Sequence, residues 1–136
     1  LDGIQAAILS TKLPHIGKWT KQRIQNAKLY TDLLSNIDGI VTPKVDDYVK
    51  HVYHLYVIRV KNRSNIIKVF KDNGIQTGIH YPTPLPFLNA YKYLKAKPSD
   101  FPISYKYKDE ILSLLMFPEL TKTDLKRVCS ILKSLF

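Results

Sequence analysis

The longest stretch of helical spacing runs from residue 17 to residue 36, with apolar side chains on one side and lysines and glutamines on the other. This pattern predicts an amphipathic helix that ends near the last two of these residues. An earlier helix is expected over residues 3–12, because Asp2 can accept hydrogen bonds from its free amides and Pro14 follows it. The apolar stripe of the longer helix consists of Trp19, Ile24, Ala27, Tyr30 and Leu34.

Runs of β-branched and aromatic residues predict a small sheet. Residues 51–60 predict its central strand, since the second half of this run is apolar on both faces. A short extended piece is expected at residues 40–41, and a short strand within residues 114–120 that Pro118 stops. Residues 74–81 alternate in polarity and predict a further strand. The chain therefore indicates about three strands.

Helical patterns separate and follow these strands. A helix is expected to begin at a Ser64 cap and to end at Gly74 in a left-handed conformation, which gives a strand–helix–strand unit. Residues 89–97 predict a short helix, and residues 103–114 a longer helical stretch. Thr121 can cap a last helix. The apolar stripe of that last helix consists of Leu125, Val128, Cys129, Leu132 and Leu135. The order of elements indicates an α/β fold with helices packed on the sheet and a long helix before it.

His80 and Tyr81 stand where the predicted strand at residues 74–81 meets a loop of restricted backbone. The restriction comes from Pro82, Pro84 and Pro86. Successive strand residues face opposite ways, so one of the pair can face a cleft while the other packs, unless the end of the strand twists. The residues alone leave two roles open: a ligand-binding pair, or two half-buried polar aromatics at the edge of a sheet.

Composition narrows the class of protein. The chain has 136 residues, the size of one domain, and 45% of them are hydrophobic, which disfavours disorder. The net charge of +10 arises from 21 Lys and Arg against 11 Asp and Glu. Because the lysines are scattered singly, a dedicated nucleic-acid surface is not expected. A single cysteine and the lack of about 20 continuous apolar residues predict a soluble cytoplasmic protein without a membrane span.

The other candidate motifs do not indicate a catalytic or metal-binding site. His51 and His54 fall on opposite faces of the predicted strand, which disfavours a metal pair. Cys129 lies in an apolar helical stripe, where a structural role is expected. Asp109 and Glu110 point in different directions on a predicted helix. We therefore expect no catalytic and no metal-binding residue in this chain.

Four segments in this order carry a family resemblance: LDGIQAAIL at residue 1, YHLYVIRV at 53, GIQTGIHYPTPL at 74 and MFPELT at 116. Over essentially its whole length the chain resembles the C-terminal third of sugar aminotransferases of the DegT/StrS type, which depend on pyridoxal phosphate (PLP). The resemblance implies the small C-terminal domain of a fold-type I aminotransferase over residues 37–136, preceded by linking helices over residues 1–36. The opening without Met agrees with a piece of a longer protein.

The resemblance also implies site residues and partners. His80 and Tyr81 match the family's His-Tyr-Pro motif, where the small domain closes over the nucleotide-sugar substrate, and we take both as substrate-binding. Thr83 and Pro86 depart from the family's usual aliphatic residue and second histidine. The Schiff-base lysine, the aspartate on the pyridine nitrogen and the phosphate-binding residues lie upstream in the family. We therefore expect no PLP on this chain alone, and a homodimer for the intact enzyme.

Two other functions are compatible with the pattern. A non-catalytic remnant of the same fold could serve association only, because the first helices would expose an apolar face without a large-domain partner. A basic RNA-binding module could stack bases on tyrosines among lysines, although the same tyrosines fit helix packing. These tyrosines are Tyr91, Tyr93, Tyr105 and Tyr107.

Overall fold

The computed structural model describes residues 2–136, which form five α-helices and one three-stranded sheet. The helices are α1 (Gly3–Lys12), α2 (Ile16–Leu34), α3 (Arg63–Asp72), α4 (Pro102–Tyr107) and α5 (Lys122–Lys133). The strands are β1 (Ile40–Val41), β2 (Tyr56–Val60) and β3 (Ile111–Leu114). Short 3₁₀ turns occur at Leu13–His15, Leu85–Phe87, Asn89–Leu94 and Pro98–Asp100. The predicted α/β fold with about three strands and packed helices is confirmed.

The sheet is antiparallel in the order β1-β2-β3, so the prediction of a central strand within residues 51–60 is confirmed. Ile58 pairs with Leu112, and Val57 pairs with Ser113. Since residues directly opposite in antiparallel strands share a face, these two pairs lie on opposite faces. The face with Ile58 and Leu112 is buried in the core. The face with Val57 and Ser113 is the one that carries the candidate site.

Helices α2, α3 and α5 cover the core face of the sheet. Each contributes an apolar stripe, and the hydroxyl of Thr121 caps α5 by accepting a hydrogen bond from the Asp124 amide at 3.1 Å, as predicted. Gly74 follows α3 with a φ of +71°, which confirms its left-handed conformation. The buried side chains from these helices are Ala27, Tyr30 and Leu34 of α2, Ile66 and Phe70 of α3, and Leu125, Val128, Cys129 and Leu132 of α5.

Tyr30 and Tyr56 stack at the centre of this core, with ring centroids 4.9 Å apart. The Tyr30 hydroxyl donates to the Leu115 carbonyl at 3.1 Å, and the Tyr56 hydroxyl lies 2.8 Å from Thr31 Oγ1. Burial raises the pKa of Tyr56 to about 12 and raises the pKa of Tyr30 further, so both phenols stay neutral in the folded chain. Neutral phenols can keep these hydrogen bonds over the whole physiological pH range.

Polar side chains of α2 bind the backbone that follows β3. Arg23 Nη1 donates to the Met116 carbonyl at 2.8 Å and to the His54 carbonyl at 3.2 Å. Asn26 Nδ2 donates to the Phe117 carbonyl at 3.1 Å. Together with Tyr30, these residues project from one side of α2 at helical spacing. The second half of α2 is therefore fastened to the sheet by hydrogen bonds as well as by packing.

Helix α1 differs from α2 because none of its residues is buried. Asp2 caps it by accepting from the Ile4 amide at 2.8 Å, as expected. Pro14 does not break the chain direction at this point: it lies in a 3₁₀ turn, and α2 begins two residues later. The division between residues 1–36 and residues 37–136 stays a prediction.

Four expected elements are wrong or displaced. Residues 74–81 are not a strand, because only Gly78 pairs there, with Ser113 of β3. Residues 103–114 are not one helix: α4 ends at Tyr107 and β3 occupies the second half, so the strand expected within residues 114–120 lies further upstream. Helix α3 begins at Arg63, one residue before the expected cap. For residues 103–114, a strand pairing made across the fold replaces the local helical pattern.

We expect Tyr30→Phe to lower the free energy of unfolding by about 1–3 kcal/mol, because it leaves the Leu115 carbonyl without its donor in the core. Urea unfolding followed by circular dichroism measures this change. The matched control is Tyr93→Phe, since Tyr93 is 73% exposed, and it should change the free energy by no more than about 0.5 kcal/mol. Equal stability of the two variants would show that α2 packs loosely on the sheet.

Candidate functional site

The imidazole of His80 lies against β3 on the sheet face that points away from the core. His80 Nδ1 is 2.9 Å from Oγ of Ser113, whose side chain is only 3% exposed. Ser113 in turn exchanges both backbone hydrogen bonds with Gly78, at 2.8 and 3.1 Å. The loop that carries His80 is therefore fixed to the sheet two residues before the histidine.

Gly78 makes room for this ring. A Cβ atom on Gly78 would lie 2.5 Å from His80 Cε1, which is closer than such atoms approach, and 3.2 Å from its Nδ1. Only glycine therefore lets the imidazole reach Ser113 in this position. An isolated glycine inside an alternating stretch is a known signal of close approach, and this signal was available in the sequence.

Tyr81 points elsewhere. Its side chain is 74% exposed and meets the His80 ring edge-on, with centroids 5.5 Å apart. It forms part of one wall of an open groove with a volume of about 980 Å³. That wall runs from Tyr81 to Leu85, and the facing wall runs from Phe101 to Lys108. The two predicted site residues are thus neighbours, but only Tyr81 lines the groove. Thr83 also lines it, whereas Pro86 does not.

Aromatic contacts hold the two walls together. The Phe87 ring packs edge-on against Tyr105 and against Phe101, with centroids 5.1 and 6.3 Å away. On the facing wall, Arg59 of β2 stacks 3.9 Å from the ring centroid of Tyr107. These contacts fix the groove by packing, and Tyr105 and Tyr107 serve that packing, whereas the RNA-binding alternative needs such rings free to stack on bases.

The charges beside the groove are paired. Lys108, the only charged residue of its lining, places Nζ at 2.8 and 3.0 Å from the two carboxylate oxygens of Asp109. Arg59 Nη1 lies 3.2 Å from Glu110 Oε2. Asp109 and Glu110 thus point to different partners, but they follow α4 rather than lying in a helix, and Glu110 is half-buried. The groove is mainly apolar, and Tyr81 in its wall and His80 next to it add polar groups.

The described residues do not fit PLP. A Schiff-base lysine needs an unpaired amine in a site that excludes water. Lys108 is bound to Asp109, and Lys28 and Lys44, which line a second groove of about 690 Å³ beside α2, are exposed. No step of a reaction is therefore assigned to the cofactor on residues 2–136.

The remaining histidines and the cysteine have structural surroundings. His51 and His54 precede β2, so the expectation that they lie in a strand is wrong. His51 Nδ1 accepts from the Tyr53 amide at 2.9 Å. Across residues 2–136, no three His, Cys, Asp or Glu side chains lie close enough together to hold a metal ion. Within the same range, no helix has the length and apolar character to span a membrane.

Ser113 was not predicted as a site residue. It is the one polar residue within the apolar run from Ile111 to Met116, and this interruption was the only local sign of it. Its importance depends on the pairing with Gly78, which lies 35 positions earlier in the sequence.

The DegT/DnrJ/EryC1/StrS aminotransferase family matches residues 1–133, and the chain belongs to this family, which confirms the resemblance seen in the sequence.

Individual relatives agree with this assignment. The "Pleiotropic regulatory protein" of Geobacillus stearothermophilus is 44% identical over 122 residues, which are 88% of this chain and 33% of that protein. The dTDP-3-amino-3,6-dideoxy-alpha-D-galactopyranose transaminase of Aneurinibacillus thermoaerophilus is 37% identical over 128 residues, 94% of this chain and 34% of that enzyme.

A solved structure gives the same result for the fold. The crystal structure of S. venezuelae DesV superimposes with a TM-score of 0.90 at 29% identity, over 99% of this chain and 36% of that chain. This chain therefore spans about a third of the length of its relatives, and the predicted match to the C-terminal portion of sugar aminotransferases is confirmed.

We expect Cys129 to resist thiol reagents in the folded chain. Its side chain is 2% exposed, and burial raises its pKa to about 11, so the reactive thiolate forms only in strongly alkaline solution. Labelling with iodoacetamide at pH 8, followed by mass spectrometry, should be at least about a hundredfold slower than in denaturant.

The matched control carries Cys129→Ala together with Ser130→Cys, which moves the thiol to the exposed neighbouring position on α5. This variant should label rapidly while folded. Rapid labelling of native Cys129 would contradict its structural role.

Proposed function

We propose that this chain is the C-terminal portion of a PLP-dependent nucleotide-sugar aminotransferase, which transfers an amino group from an amino acid to a keto-sugar nucleotide. The observation that carries this proposal is the family match over almost the whole chain. The name of the Aneurinibacillus relative, a dTDP-sugar transaminase, supports the substrate class. Since the chain spans about a third of such enzymes, the activity belongs to the intact protein in this proposal.

In this function, His80 and Tyr81 bind the nucleotide sugar. A nucleotide sugar presents flat apolar rings together with hydroxyl and phosphate oxygens. The groove beside Tyr81 offers apolar walls, and the exposed Tyr81 hydroxyl and the imidazole of His80 offer hydrogen bonds next to them. This combination of an apolar surface and few polar groups is typical of small-molecule sites.

The cofactor chemistry is assigned to the rest of the enzyme. PLP takes up the electron pair at the reacting carbon when it is bound to a transaminase. The resemblance places the lysine that binds it in the part of the family upstream of this chain. Residues 2–136 supply no such lysine in either groove, so their role in this proposal is recognition of the substrate.

We also propose that the intact enzyme is a cytoplasmic homodimer in which residues 1–36 link the large domain to the small domain of residues 37–136. The exposed apolar side chains of α1 and the turn after it support an additional packing partner for this segment. These side chains are Ile4, Ile8, Leu9, Leu13 and Ile16.

The same apolar stripe favours one alternative function. A chain that retained only this fold could use α1 for association and have no catalytic role. The aminotransferase function requires a further domain that carries the Schiff-base lysine, whereas association alone does not require it.

We expect the chain not to form a Schiff base with PLP at one particular lysine. Incubation with PLP, reduction with borohydride and peptide mapping should give only low, scattered modification of exposed lysines. A free-lysine mixture reduced under the same conditions calibrates the nonspecific level. Stoichiometric labelling of a single lysine would contradict the assignment of the cofactor to the rest of the enzyme.

In the intact enzyme, we expect His80→Ala to raise the KM for the nucleotide sugar by roughly tenfold to a hundredfold, because a hydrogen bond to a charged or polar ligand group is worth about 1.5–3 kcal/mol. Tyr81→Phe should cost less, since the ring survives and only the hydroxyl is lost. Water can replace His80 as the partner of Ser113, so the melting temperature should change little.

Tyr93→Phe is the matched control, because Tyr93 is equally exposed but does not line the groove. Steady-state kinetics and thermal melting are measured on the same preparations. If His80→Ala melts several degrees lower and binds the sugar normally, the pair serves only to close the edge of the sheet.

A further inference from the structure

Ser113 occupies an unusual position for a hydroxyl group. Among residues 2–136, apart from two tyrosines and Cys129, it is the one buried residue whose side chain carries a polar group. Its backbone is paired with Val57 on one side and with Gly78 on the other, so its side chain is fixed in the middle of the extended sheet. Its face carries no helix of the core, and the imidazole of His80 covers the hydroxyl instead.

This environment decides which atom holds the hydrogen-bonding proton. Within the described part of the chain, His80 Nδ1, at 2.9 Å, is the hydrogen-bond partner of Ser113 Oγ. If Nδ1 were the donor, the hydroxyl hydrogen of Ser113 would have no acceptor in a site nearly closed to water, which is unfavourable. The favoured arrangement has Ser113 donating to Nδ1. In the neutral imidazole the ring proton then resides on Nε2.

Gly78 fixes the position of the same ring. The space that a side chain would occupy at residue 78 is filled by His80 Cε1, 2.5 Å from an ideal Cβ, with Nδ1 and Nε2 at 3.2 and 3.5 Å. The ring thus lies against the backbone of Gly78 while Ser113 holds its Nδ1 edge. These two contacts restrict the rotation of the ring.

We propose that Ser113 and Gly78 are positioning residues that hold His80 as the Nε2–H tautomer, so that it donates a hydrogen bond from Nε2 to an oxygen atom of the ligand. This inference rests on the proposed function for the identity of the ligand, a nucleotide sugar with phosphate and hydroxyl oxygens. It assigns His80 a donor role in binding. Neutral His80 in this arrangement has no free lone pair to accept a proton from the substrate, which excludes it as a general base.

The tautomer can be measured on the chain itself, without ligand. In ¹⁵N-labelled protein, two-bond proton–nitrogen correlations of the imidazole should show His80 with a protonated Nε2 and an unprotonated Nδ1. Ser113→Ala should raise the ratio of Nδ1–H to Nε2–H roughly three- to tenfold, since it removes one neutral hydrogen bond. Ser113→Thr keeps the hydroxyl and should restore the original ratio.

Two further variants complete the experiment. Gly78→Ala should displace the ring and broaden or shift the His80 signals, whereas Ser130→Ala, at an exposed serine of α5, should leave them unchanged. All variants are checked for the folded state by their amide spectra. A protonated Nδ1 in the original chain, or a ratio that Ser113→Ala does not alter, would overturn the positioning role.

Kinetics of the intact enzyme separate this inference from the proposed function. Ser113→Ala should raise the KM for the nucleotide sugar by about three- to tenfold and leave kcat unchanged, and Ser113→Thr should restore the KM. If the NMR result is as expected but the KM does not move, Ser113 positions a histidine that does not touch the substrate. That outcome overturns the ligand contact and leaves the tautomer assignment standing.

Discussion

The burial of Tyr30 beneath α2 is the interaction on which the rest of the structure depends. Its ring is stacked on Tyr56 of the central strand, and its hydroxyl binds the Leu115 carbonyl directly after β3. One side chain therefore joins the long helix to two strands that are distant in sequence. A phenol suits this place because it combines a large apolar surface with a single donor that can be satisfied. Arg23 and Asn26 extend the same attachment to the next two carbonyls.

The site on the opposite face follows from this attachment. With Leu115 held from the core side, β3 has a fixed register against β2, and Val57 lies opposite Ser113. That register presents the Ser113 hydroxyl on the face away from the core helices α2, α3 and α5, where Gly78 pairs with the free edge of β3 and brings His80 over it. A shift of one residue would exchange the two faces and bury the hydroxyl in the core. The hydrophobic core thus determines the orientation of an imidazole that it does not contact.

The sequence predicted those features that depend on local periodicity. The stripes of α2 and α5 and the apolar second half of residues 51–60 are such patterns. The structure buries the α2 stripe from Ala27 onward and the α5 stripe up to Leu132, and β2 occupies residues 56–60. Residues 74–81 alternate in the same way as a strand, yet only Gly78 finds a partner, since the pairing edge of β3 is short. The groove was missed for a related reason. Its walls come from segments about twenty residues apart, and no local pattern records that they meet.

In the proposed function this segment recognises a substrate without transforming it, and the ionisable groups beside the groove support that role. Beside the groove, Lys108 is paired with Asp109 and Arg59 with Glu110, whereas Cys129 is buried in the core with a raised pKa. His80 has no charged partner among the described residues, and its Nδ1 is occupied by Ser113. A surface of this kind can bind oxygen atoms through a fixed donor and cover apolar rings, which is what recognition requires. Proton transfer needs a group whose charge can change during the reaction. In the proposed enzyme that group must come from the two thirds of the protein that this chain does not span.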